Sequence, residues 1–186
     1  LNATSTLIVN TAEHIGDRSL TDQHIWLDPT LAQLQAELIK DALVKIDAVH
    51  EQAYEANFNA LSSQFGELDQ ALRSVSETAK RKEIIVSHAA FGHLTERYGL
   101  EQIAISGKSS SHEPSQKELQ EIIEFAKERE ISHVLFEPFV SLKIAEVVKN
   151  EIGAEALILN PLENITKEEL ERGEDYFSIM NQNIEN

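Results

Sequence analysis

Cysteine is absent from the 186 residues, which excludes disulfides, thiolate metal sites and cysteine nucleophiles. Basic residues are scarce as well: 16 Lys and Arg stand against 32 Asp and Glu, a formal net charge of −16. Duplex nucleic acid needs Lys and Arg to displace counterions from its phosphates, and an anionic lipid surface attracts the same sign. Both are therefore excluded as partners, whereas cations fit the charge. No run of about 18 apolar residues occurs, so no segment is built to span a bilayer as a helix. No signal peptide is visible, position 1 is Leu, and the opening LNATSTLIVNTA reads as the middle of a longer precursor. There is no Gly/Ser linker, internal repeat or low-complexity tract. With 41% hydrophobic and 26% charged residues, the composition is that of an ordinary folded domain with a substantial core.

Along the chain, TLIVN (Thr6 to Asn10) predicts one short buried strand. A polar loop follows over 11–23, with Gly16 and Asp17 as turn residues. Asp28-Pro29 is a helix start, with Asp to cap free amides and Pro suited to the first helical position. Leu31, Leu34, Leu38 and Ala42 then form one apolar stripe. After a break near Asp47, the residues Tyr54, Phe58, Leu61, Phe65, Leu68, Leu72, Val75 and Ala79 alternate steps of four and three. That heptad seam predicts a helix roughly 40 Å long. Half of an antiparallel hairpin or a coiled coil would show the same seam, but the strand–helix alternation that follows favours a rigid spine lying across a domain or between two lobes.

From Lys82 the texture changes to short strands alternating with helices. The strands are 83–87, 102–106, 133–137 and 156–160, and Ser115/Glu118 and Thr166/Glu169 are spaced as capping boxes. Such alternation predicts an α/β fold: a Rossmann-like lobe with a four-stranded, mostly parallel sheet, flanked by helices and preceded by the long helix. Ligands of open parallel sheets bind beyond the carboxyl ends of the strands. His88 follows the first strand and Glu137 closes the third, while His24 stands shortly before the capped helix start at Asp28. Imidazole and carboxylate suit a borderline divalent metal. On residue type alone each also has an ordinary reading, as a hydrogen-bonded packing histidine or a solvated strand-end acid. His14, His50, His93, His112 and His133 lie in loops, on helices or at a strand start, and are read as non-ligands.

The motifs QHIWLDP, IVSHAAFGHLTERYGL, ISGKSSSHEPS, VLFEPFVSLKIAEVV and LNPLENIT, in that order, resemble the cluster A-I metal-binding proteins of bacterial ABC importers, in particular their zinc branch. The resemblance covers nearly the whole chain. It implies two α/β lobes joined by a long rigid helix, with metal in the cleft between them. On that frame 1–27 is a remnant of the amino-terminal lobe and its loop, 28–80 the linking helices, and 81–186 the carboxy-terminal metal-binding lobe. His24, His88 and Glu137 match family ligand positions, and a further upstream His is expected to complete the site. A His at position 88 marks the zinc branch, so Zn²⁺ is expected ahead of Mn²⁺. No His-rich loop precedes HIWLDP, and Gln23 replaces the usual Pro.

The implied function is capture of Zn²⁺ outside the cytoplasm, by a periplasmic protein or cell-surface lipoprotein, and delivery to an ABC permease in the membrane, without catalysis. Binding needs neutral imidazoles, so affinity is expected to fall as pH drops through roughly 6.5. A zinc hydrolase using two His and one Glu is the rival from another class, although no HExxH is present. An adhesin-type role is a third reading. A chain lacking most of one lobe is expected to dimerise or swap.

Overall fold

Asp28 and Pro29 open the first long helix, α1 (Pro29–Ile46), in a computed structural model that describes residues 6–13, 15, 22–107, 115–138 and 143–186. The Asp28 carboxylate accepts from the Thr30 amide at 2.9 Å and the Thr30 hydroxyl at 2.8 Å. Its other oxygen pairs with the Arg97 guanidinium, and the residue is buried. Asp28→Ala therefore removes a helix cap and strands a partly buried Arg. The expected cost is about 2–3 kcal/mol, read as a lowered urea midpoint.

A short 3₁₀ turn (Ala48–His50) reverses the chain into α2 (Glu51–Thr78), 28 residues or about 42 Å of helix. Then follow β1 (Glu83–Val86), α3 (Gly92–Tyr98), β2 (Glu101–Ala104), α4 (Gln116–Glu128), β3 (His133–Phe136), α5 (Lys143–Ile152), β4 (Glu155–Ile158), α6 (Lys167–Glu171) and α7 (Tyr176–Glu185). Both expected capping boxes form, at Ser115/Glu118 and Thr166/Glu169. Gly153, at φ 70°, takes the left-handed turn that ends α5.

The heptad seam serves two purposes. Gln33 donates to Ser62 at 2.9 Å and Lys40 lies 3.4 Å from Glu55, so the first half of α2 runs antiparallel to α1 as a helical hairpin. The second half crosses the α/β lobe as a spine. There Phe65 packs edge-on against Tyr176 and at a tilt against Phe177 of α7, and Asp69 accepts from the Tyr98 hydroxyl of α3. Phe65 and Leu68 are buried, whereas Leu61 and Val75 remain 38% and 46% exposed.

The sheet has strand order β2-β1-β3-β4, with every neighbouring pair parallel. Alternate side chains feed two cores. Val86 faces a cluster with Leu27, Leu68, Phe91, Leu94 and Met180, while Ile85, Val134 and Phe136 face another with Ala126 and Val148. The chain leaves β1 toward β2 on one side and returns to β3 on the other, so the order reverses between β1 and β3. Their carboxyl ends flank the crevice where a ligand sits in this architecture.

One expected strand does not form. Thr6 to Asn10 has no regular structure and is exposed, Ile8 at 88%. An extended segment is stable only when a neighbour pairs its amides and carbonyls, and the described sheet gives this one no neighbour. Gly16, Asp17, His14 and His112 lie outside the described residues. Among the described residues no helix is long and apolar enough to cross a membrane.

Candidate metal centre

His88 follows β1 and is 1% exposed. Its Nδ1 donates to Glu137 Oε1 at 2.5 Å, and the same oxygen accepts from the Ser87 hydroxyl at 2.5 Å. Glu137 stands just past β3, so adjacent strand ends hold this pair together. His24 sits in the 22–24 segment ahead of the 3₁₀ turn Ile25–Leu27. Its Nδ1 donates to Asp22 Oδ1 at 2.7 Å, and its backbone amide donates to the same oxygen at 3.1 Å. The two imidazoles meet edge to face, with ring centroids 5.3 Å apart.

A third element closes the group. Beyond β4, the 159–166 loop brings Glu163 Oε1 to 3.0 Å from His24 Nε2 and 3.4 Å from His88 Nε2. The loop is tied down on several sides. Asn160 and Asn183 exchange two hydrogen bonds of 2.8 Å, Leu162 donates to Asn160 Oδ1, and Trp26 Nε1 donates to the Pro161 carbonyl at 2.9 Å. Tyr176 in turn donates to the Trp26 carbonyl at 2.8 Å, so the loops carrying His24 and Glu163 share one clamp.

His24, His88 and Glu163 each offer one ligand atom, all within 4.8 Å of one another, and among the described residues no other such group forms. The donor chemistry fits a cation. Both Nδ1 atoms are turned onto carboxylates, which sets the tautomer and leaves the Nε2 lone pairs aimed inward. Two nitrogen lone pairs and an anionic oxygen then converge, an arrangement that needs positive charge at its centre. In the absence of metal a proton can supply it. The hydrogen bond to Asp22 is the largest influence on His24 and lifts its pKa above the ordinary value; burial opposes the rise and Glu163 adds to it. For Asp22, burial pushes the carboxyl upward, but the hydrogen bonds from His24 outweigh it and the net shift is downward.

The structure thus brings His24 and His88 together as the sequence reading expects, and places Glu137 against His88 Nδ1, with Glu163 as the acid facing the two Nε2 atoms. Among the described residues, Glu137 Oε2 has no hydrogen-bond partner. His50 and His133 are exposed and remote from the group, and His93 is buried with Nε2 donating to the Asp22 carbonyl.

Residues 2–186 match the family model of ZnuA, the periplasmic component A of the zinc-uptake complex. The chain belongs to the ZnuA family. It is 38% identical over 164 residues to the high-affinity zinc uptake system protein ZnuA of Bacillus subtilis, covering 88% of this chain and 51% of that protein. The chain therefore spans about half the length of this relative. Among solved structures, the metal-dependent lipoprotein YcdH of Bacillus subtilis superposes with a TM-score of 0.86 at 35% identity, covering 100% of this chain and 70% of the other. The Zn(II)-bound ZnuA-like domain of Streptococcus pneumoniae AdcA gives a TM-score of 0.76 at 34% identity, covering 100% and 67%. The stretch LNPLENIT carries Glu163, and a signal for it was available: Glu163 lies in the loop beyond β4, at the same end of the sheet as Glu137 immediately after β3. Strand-end position alone does not say which acid turns inward.

Proposed function

We propose that this chain captures Zn²⁺ through His24 Nε2, His88 Nε2 and Glu163, and that the whole protein hands the ion to an ABC permease from outside the cytoplasm. The observation that carries the reading is the convergence of these three donors, each imidazole backed by a carboxylate on its other nitrogen. Two imidazoles and one carboxylate match zinc better than manganese, which favours oxygen. They leave a fourth tetrahedral position, which a further imidazole of the whole protein would fill. Membership in a family of uptake components favours binding and release over turnover. Glu137 serves this site from behind, by holding the His88 ring.

Elemental analysis of the intact purified protein should return zinc near one equivalent, and a chelator competition should show a single tight site. Protons compete for the same Nε2 lone pairs. Because the His24 pKa is raised, competition there begins above the ordinary value of 6.5. Zinc affinity should therefore decline as pH falls through neutrality and below, with proton release on binding. A pH-independent affinity, or preparations devoid of zinc after growth in zinc-replete medium, would overturn the proposal.

A further inference from the structure

His24 lies outside any strand or helix, just ahead of the 3₁₀ turn Ile25–Leu27, so its ring is held by side-chain and loop contacts. The contacts lead to the first turn of α3. Asp22, two residues before His24, accepts from both the amide and the Nδ1 of His24 through one oxygen, at 3.1 Å and 2.7 Å. The other oxygen of that carboxylate lies against Gly92: a Cβ at position 92 would stand 2.6 Å from Asp22 Oδ2, and 3.1 Å from Gln102 Nε2. The next residue, His93, is 6% exposed and donates from Nε2 to the Asp22 carbonyl at 3.0 Å. Both ends of Asp22, backbone and carboxylate, are thus seated on Gly92-His93.

We propose that Gly92, His93 and Asp22 form a seat that positions His24 for zinc, with Gly92 required because a side chain there would turn the Asp22 carboxylate off Nδ1. The proposal rests on the metal-capture reading above. The obstructed atom is the end of a short side chain, so Gly92→Ala relieves the clash by rotating the carboxylate. That rotation carries Oδ1 away from the His24 ring, and the effect falls on ligand orientation more than on folding. Alanine is itself better tolerated in a helix than glycine.

The test is zinc affinity by chelator competition in the intact protein, with Co²⁺ absorption reporting ligand geometry and urea unfolding of the metal-free protein as the stability control. Asp22→Ala and Gly92→Ala should each weaken zinc by about tenfold or more, the range for groups that orient a ligand. The Co²⁺ bands should shift, and the unfolding midpoint of Gly92→Ala should stay near wild type. The double variant should match Asp22→Ala alone, because without the carboxylate there is nothing for the new methyl group to displace. Asp22→Asn, which keeps an acceptor oxygen, should recover part of the affinity, and it decides the matter if Gly92→Ala fails to fold. Wild-type affinity in Gly92→Ala and Asp22→Ala, or strictly additive losses in the double variant, would sink the proposal. If His88→Ala also binds zinc as tightly as wild type, the capture reading fails; if only His88→Ala is weakened, the seat alone is refuted.

Discussion

Replacing His88 by alanine is expected to lower zinc affinity by more than about 100-fold, beyond the range for residues that merely orient a ligand. That corresponds to about 2.7 kcal/mol of binding free energy. The size follows from the burial of the group. His88 is 1% exposed and its Nδ1 is held at 2.5 Å by Glu137, so the wild-type ring is already fixed in its ligating orientation, and a water filling the vacated space is a weaker zinc donor than an imidazole. His50→Ala is the control. His50 is exposed at the hairpin turn and bonds Asp47 at 2.7 Å, remote from the three donors, so its removal should leave zinc binding unchanged. Isothermal titration against a competing chelator reads both variants. Equal affinities for the two would remove the cluster from consideration as a metal site.

A comparison of the two strand-end acids has an expected effect of similar size and separates their roles. Glu163→Ala should weaken zinc by more than about 100-fold, because it deletes the anionic oxygen between the two Nε2 atoms. Its side chain is 35% exposed and sits at a loop, so the unfolding midpoint should hardly move. Glu137→Ala should weaken zinc less, by about 10- to 100-fold, the cost of releasing a ligand ring from its orienting partner. Co²⁺ absorption distinguishes the cases: loss of Glu163 changes the donor set, whereas loss of Glu137 keeps it and blurs the ring geometry. A larger loss from Glu137→Ala than from Glu163→Ala would return the ligand role to Glu137.

Much of the fold was legible in residue patterns because those patterns are local. The Asp28-Pro29 start, the break at Asp47 and the two capping boxes each depend on neighbours a few residues away. Thr6 to Asn10 was misread for the complementary reason. Its apolar, β-branched composition matches a strand, yet strand formation needs a partner that composition does not reveal. The heptad seam from Tyr54 to Ala79 predicted one long helix, read as a spine rather than as half of a hairpin. The structure uses both along one helix, since α1 ends opposite its first half and α7 meets its second.

The candidate site divides in the same way. By itself the sequence determined which residues carry imidazole and carboxylate, that strand ends and the HIWLDP stretch would present them, and that the charge favours a cation. Only the tertiary structure decided which oxygen faces both Nε2 atoms, and that His93, set aside as a non-ligand, holds the loop of His24 through a backbone carbonyl. The physical reason is range. A capping box or an apolar stripe is settled within one or two turns of chain. Glu163 and His24, by contrast, are 139 residues apart and meet only because Trp26, Asn160, Tyr176 and Asn183 lock two distant loops together.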